Sequence, residues 1–234
     1  MNKTATMKRA LLVLGACLLL AWPSSLAAQE NLEAVLTRMD KAAADFHTAQ
    51  ADFSWDQYQK VVDETDVQKG TIYFRRLGDK LSMAADISVP DRKYLLFAES
   101  RMQLYQPKID QVTVYDTGKN KADVESFLVL GFGGRGHDLG RTFDVKFGGP
   151  ETVEGMKTMK LELVPKSARM RASFERILLW IDMVRGVSVQ QQFFEPSGNF
   201  RLVKYANIQL NQKLNDDVFK LKTTRKTKYI NPQE

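Results

Sequence analysis

Between Gln29 and Thr48 apolar side chains recur every three or four positions: Leu32, Val35, Leu36, Met39, Ala42, Ala43 and Phe46. That spacing predicts a helix with one greasy stripe, packed on something larger. From Ala49 the period changes to two. Ala51, Phe53 and Trp55 share one face of a strand, and Asp52, Ser54 and Asp56 share the other. Gly70 to Arg76 puts Ile72, Phe74 and Arg76 on one side, and Leu81, Met83, Ala85 and Ile87 alternate in the same way. Lys93–Ser100, Met102–Gln106 and Gln111–Tyr115 read as short strands, divided by turn signals at Leu77-Gly78-Asp79, Pro90-Asp91 and Pro107–Asp110. Asn120–Leu130 breaks the alternation as a short helix carrying Val124, Phe127 and Leu128, followed by a glycine-rich loop, Gly131–Gly140. Strands resume at Thr142–Phe147, Thr152–Val164, Phe174–Val184, Val187–Glu195 and Phe200–Leu210.

The expected fold class is mainly β with α, with about eleven antiparallel, hairpin-linked strands in one domain, an N-terminal helix and one helical insertion. Two helices are too few to form a second layer. The sheet must therefore curl into a barrel or half-barrel to hide its apolar face, with the helices across its mouth.

Composition changes this picture at the amino terminus. Lys3, Lys8 and Arg9 precede an apolar run from Ala10 to Trp22, and Ser25-x-Ala27 fits a small-x-small cleavage site. The run falls short of the ~20 apolar residues that span a bilayer. Residues 1–27 read as a secretory leader to the periplasm, and residues 28–234 as the mature domain. Removing three of the 34 basic residues leaves 31 against 28 acidic ones, a mildly basic chain with little to recommend it to nucleic acid. Leu14-Gly15-Ala16-Cys17 resembles a lipobox, so an acylated, membrane-anchored protein is the alternative. Cys17 is the only cysteine, which excludes an intrachain disulfide.

Chemistry motifs are scarce. Gly131-Phe132-Gly133-Gly134-Arg135-Gly136 spells G-x-G-x-x-G, but no helix-forming pattern follows and the neighbouring strands read as antiparallel, so a loop is expected rather than a dinucleotide cradle. His137-Asp138 has the residue types of an acid–base pair without any nucleophile motif, and reads as a surface pair. Glu162 and Asp182 sit in strands with nothing to set them at glycosidase separation. The basic stretch Lys220–Lys228 reads as a solvated tail. No cofactor, metal or catalytic residue is expected. Arg76 stands out because its strand face is apolar: a guanidinium there needs acceptors, which backbone carbonyls of a lid would supply. Arg75 and Arg76 are distinguished only by strand alternation.

Several pieces, in order, resemble the periplasmic lipoprotein carriers of the Lol pathway (LolA-like proteins) over about Leu32–Leu221. They are the helix ending in Phe46, Ala51-x-Phe53, Gly70-x-Ile72-x-Phe74-Arg75-Arg76, Leu104-Tyr105-Gln106-Pro107 and Val112-x-Val114-Tyr115. Phe127-Leu128-Val129-Leu130 follows, then Leu163-Val164-Pro165-Lys166, Leu179-Trp180-Ile181-Asp182, Ser197-Gly198, Tyr205-x-Asn207-x-Gln209-x-Asn211 and Asp217-x-Phe219. The resemblance implies an unclosed β-barrel lidded by helices over an apolar cavity. It also implies acylated lipoproteins or lipids as cargo, an inner-membrane ABC transporter complex as donor and an outer-membrane receptor as acceptor. Arg76 occupies the family's lid-contacting position, although Leu77 follows where the family has proline, and the glycine-rich stretch is also a departure.

The physics suits a monomeric carrier that is not an enzyme. Each acyl methylene left in water costs ~0.8 kcal/mol, so cargo needs an apolar cavity with a movable cover. The candidate lining is Phe53, Trp55, Ile72, Phe74, Leu81, Met83, Tyr94 and Leu96, with Val124, Phe127 and Leu128 on the lid and Arg76 as latch. Met83 and Met159 suit an adaptable wall. An envelope sensor or interaction module on the same scaffold, or an anchored receptor through Cys17, are the competing readings.

Overall fold

The computed structural model describes residues 24–78, 80–118 and 121–232. The expected leader and Cys17 lie outside the described residues, apart from Ser24–Ala27, which open the first helix, α1 (Ser24–Ala44). The strands are β1 (Thr48–Gln59), β2 (Glu64–Leu77), β3 (Lys80–Val89), β4 (Lys93–Ala98), β5 (Arg101–Gln106) and β6 (Gln111–Asp116). Then come α2 (Lys121–Leu128), the single turn α3 (Leu139–Thr142), β7 (Phe143–Val153), β8 (Met156–Pro165) and α4 (Ala168–Ser173). The chain ends with β9 (Arg176–Asp182), β10 (Val187–Phe194), β11 (Phe200–Leu210) and β12 (Lys228–Ile230).

All twelve strands form one sheet in the order β12-β6-β5-β4-β3-β2-β1-β11-β10-β9-β8-β7. The order follows from hairpins: β1–β6 add one after another on one side of β1, and β7–β11 return until β11 pairs with the other side of β1. β12 and β7 are the free edges, so the sheet is an open half-barrel and not a closed barrel. Several elements differ from expectation: α3 and α4 are additional short helices, and β2 begins at Glu64 rather than Gly70. The stretch read as one strand over Thr152–Val164 is divided by a turn in which Glu154 and Gly155 both have positive φ. The tail is not solvated throughout: β12 pairs parallel with β6, Lys228 on Gln111. Asp110 clamps this segment, accepting from the hydroxyls of Thr224 (2.8 Å) and Thr227 (2.6 Å).

One sheet face carries two adjoining apolar layers. The first packs Val35, Leu36 and Met39 of α1 against Leu161, Leu163, Ile177 and Leu179 of β8 and β9. The second gathers Phe46, Phe53, Phe74, Met83, Phe97, Phe132 and Tyr205. This is the inner face. On the outer face of β2–β4 a strap centred on Phe219 covers Ala84 and Leu96. β4 is therefore buried on both sides, which is why Tyr94-Leu95-Leu96-Phe97 is apolar at every position.

Candidate functional site

The inner face is assembled by register. In β2–β3, Phe74 faces Met83 and Arg76 faces Leu81; in β1–β2, Ala51 faces Ile72. Alternation then keeps Phe53, Trp55, Ile72, Phe74, Leu81 and Met83 on one side. Tyr94 and Leu96 are corrected to the outer face. Met83 pairs with Phe97 and Ala85 with Leu95, so it is Leu95 and Phe97 that point inward. A run without polar positions carries no alternation to read, and a one-residue error reverses the face.

A helix and loop cover this layer. Val124 and Leu128 of α2 pack on the Phe53–Phe74 layer. Phe127 turns to the other one, 5.1 Å from the Phe174 ring centroid and 6.5 Å from that of Phe143. The following loop inserts Phe132, which has no exposed surface, between Phe74 (5.2 Å) and Tyr205 (5.1 Å). At this point the expected hollow is occupied by the Phe132 ring. A cleft of about 190 Å³ lies on the outer face, between Tyr73, Tyr94 and Leu96 of the sheet and Val218 and Leu221 of the strap.

The loop's glycines are explained by contact. Gly133 has φ +78°, and a Cβ there would stand 2.5 Å from the Phe46 ring. A Cβ on Gly136 would stand 2.5 Å from the Leu36 carbonyl oxygen of α1. Only bare backbone lies this close, so Gly133 and Gly136 serve packing of the cover on Phe46 and α1.

Two side chains tie the cover down. Arg76 donates through Nη2 to the Gly133 carbonyl (2.8 Å) and, at the limit of hydrogen bonding, through Nη1 to that of Ala43 (3.5 Å). Its guanidinium carbon sits 5.3 Å from the Phe46 ring centroid. Burial lowers the Arg76 pKa from its ordinary value, the effect of desolvating a cation. Arg75, one residue earlier, points the other way, pairing with Asp216 and lying 4.2 Å from the Phe219 ring centroid on the strap.

His137 is the second tie. Its Nδ1 meets Asp40 Oδ2, its Nε2 lies 2.9 Å from Glu33 Oε1, and its backbone N–H donates to Asp40 Oδ1 at 3.2 Å. The hydrogen bonds to Asp40 and then Glu33 hold the imidazole above its ordinary pKa. Burial pushes the Asp40 carboxyl up, but the His137 bonds outweigh it and leave the group below its usual range. Asp138, the sequence neighbour, pairs instead with Arg141 at 3.2 Å. Sequence reading missed Phe132 and the Asp40–His137 pair. An aromatic residue isolated among glycines was the available signal for the first; the second joins residues 97 positions apart and left none.

Among the described residues no cluster of three or more histidine, cysteine or acidic side chains is placed to hold a metal, and no helix is long and apolar enough to cross a membrane.

Comparison with known proteins accords with this architecture. The profile of the outer membrane lipoprotein carrier protein LolA matches residues 44–222. No curated protein matches the chain. Among solved structures, an uncharacterized conserved protein from Thermus thermophilus superposes with TM-score 0.54 at 12% identity, over 88% of this chain and 99% of that one. MucB superposes with TM-score 0.53 at 13% identity, over 86% of this chain and 64% of that one. The complex structure of Pseudomonas aeruginosa MucA/MucB gives 0.50 at 14% identity, over 82% of this chain and 61% of that one. This chain thus spans less than two thirds of MucB, and at such identities the likeness concerns the fold. The family match covers every strand from β1 to β11, including the arginine that holds the cover, and the chain belongs to the LolA family.

Proposed function

We propose that this protein is a periplasmic carrier that receives the acyl chains of lipoproteins, or of related lipids, on the inner face of its sheet. It moves them from an inner-membrane ABC transporter complex to an outer-membrane receptor. The observation that carries this reading is the way the cover is held. Arg76, on an apolar strand face, fastens the lid loop through the Gly133 carbonyl, while Val124, Phe127, Leu128 and Phe132 rest on apolar side chains below. A lid kept shut by hydrogen bonds to backbone can be released without dismantling the sheet. Hydrocarbon that replaces Phe132 and Leu128 exchanges one apolar contact for another, so loading has little burial to lose. The packed interior is the unloaded, closed state.

The test is purification of the mature protein, incubation with vesicles of envelope lipid carrying an acylated lipoprotein, and mass spectrometry of what stays bound. The wild type is expected to retain acyl lipid and transfer it to acceptor vesicles. Arg76→Leu is expected to retain lipid but transfer it poorly. Absence of bound lipid in the wild type, or normal transfer by Arg76→Leu, overturns the proposal.

A second reading, an envelope module that binds a protein partner, draws support from the filled interior and from the MucA/MucB complex on a similar fold. It predicts a stable protein complex and no lipid uptake in the same experiment.

A further inference from the structure

The seam between the two inner apolar layers is not apolar throughout. Three buried donors there have no hydrogen-bond partner among the described residues: Trp55 Nε1, Gln191 Nε2 and Arg201 Nε. The ladder places them together. Val203 of β11 faces Trp55 of β1 on one side and Gln191 of β10 on the other. Arg201, two residues earlier on β11, faces Gln57 and Phe193 in the next row on the same sheet face. With strands about 4.8 Å apart, the backbones that carry the three donors fall within a patch roughly 10 Å across. Gln191 is 4% exposed, so its amide is committed to the interior.

The closed cover does not satisfy these groups. The lid loop passes directly over Gln191: a Cβ on Gly131 would stand 3.0 Å from Nε2. The Gly131 carbonyl accepts from the Ser188 N–H at 3.2 Å, and Gln191 Nε2 has no partner in the loop above it. A buried donor left unpaired costs free energy that apolar side chains of like shape would avoid. Leu and Phe would fill these positions as well, so packing alone does not account for the donors.

Resting on the carrier reading above, we infer that Trp55, Gln191 and Arg201 form a polar floor that receives the ester or amide carbonyls of an acylated ligand, fixing where its hydrocarbon begins. The chemistry selects this class. The flanking side chains Phe53, Phe193, Val203 and Leu179 accept hydrocarbon. Two of the donors are neutral, and the charge of Arg201 is already met by Glu195 at 2.8 Å. A neutral acceptor set in hydrocarbon therefore fits better than a free anion. A diacylglyceryl unit supplies this chemistry, whether from a lipoprotein or a phospholipid.

The experiment compares ester with ether. Competition binding to the whole mature protein is measured for a dipalmitoylglyceryl-cysteine peptide and its dihexadecyl ether counterpart, and for dipalmitoyl-phosphatidylglycerol and its ether counterpart. Ether oxygens keep the chains but lose the strong carbonyl acceptors. The ester is expected to bind about tenfold tighter in at least one pair, and the pair showing it identifies the source. In Gln191→Leu the preference is expected to shrink to about threefold or less while ether binding persists, which shows that the fold and the apolar layer are intact. Equal binding of ester and ether by the wild type overturns the polar floor and leaves the carrier reading standing. Binding of neither lipid overturns both.

Discussion

Arg75 and Arg76 are adjacent on β2, yet each fastens a different covering to a different side of the sheet. Inside, Arg76 holds the lid loop by carbonyl oxygens, and the loop's glycines lie bare against Phe46 and α1. Outside, Arg75 grips the strap by the Asp216 carboxylate and the Phe219 ring, and the chain beyond it is clamped by Asp110 and joined to the sheet as β12. The two coverings differ in kind. The outer one ends in the strand ladder of β12; the inner one takes one backbone bond from the sheet, Ser188 N–H to the Gly131 carbonyl, and otherwise rests on side-chain ties and apolar contact. Under the proposed carrier function, such a contrast sets the inner cover, rather than the strap, as the part that opens.

The largest expected effect comes from the plugs themselves. Phe132→Ala removes a ring with no exposed surface, where full burial in a rigid core predicts a loss of about 3–5 kcal/mol. If the lid opens as a unit, global stability by urea denaturation falls by less than that, while binding of an apolar dye to the inner face rises. A full loss without extra dye binding would place Phe132 in the rigid core. Leu179→Ala, on the sheet beneath, is expected to cost about 2–5 kcal/mol with no such discount.

Next in size is the pair of arginines. Arg76→Leu is expected to lower the amide-exchange protection of residues 129–136 by about 1–3 kcal/mol, with the tail unchanged. Arg75→Leu is expected to loosen residues 214–221 by a smaller amount and leave the lid alone, because Asp216 is exposed and its ion pair is screened. Matching profiles for the two variants would erase the distinction between the coverings.

The smallest effect is on pH. His137 is raised above its ordinary 6.5, so its tie to Asp40 and Glu33 is fully present below that value and is lost as pH rises through the higher folded value. Asp40, lowered, stays ionised well into the acid range, and Arg135 adds a nearby positive charge. Dye binding to the inner face is therefore expected to increase modestly from neutral to mildly alkaline pH, and His137→Asn is expected to flatten that slope. An unchanged slope in the variant would assign the pH response to another group.

Much of this contrast was legible in the residues. Alternation through Ile72, Phe74 and Arg76 favours the Arg76 guanidinium for the inner side, and the register with Arg76 on Leu81 decides it over Arg75. The helical spacing of Val124, Phe127 and Leu128 likewise marked an apolar lid. The faces of Tyr94 and Leu96 were not legible because Leu95, Leu96 and Phe97 at the centre of β4 are all apolar and show no alternation. β12 was missed because Lys228–Ile230 has no pattern of its own and becomes a strand only beside β6.

The sequence by itself determined most of the strands, their linkage through successive hairpins and the alternation that puts Arg76 with Ile72 and Phe74, because these depend on neighbours along the chain. Only the tertiary structure decided that the interior is filled by Phe132, that His137 reaches back to Asp40, and that Trp55, Gln191 and Arg201 meet on one floor. Those outcomes join residues tens to more than a hundred positions apart. They are set by which strands become neighbours and how closely a glycine backbone can approach, and no local pattern records either.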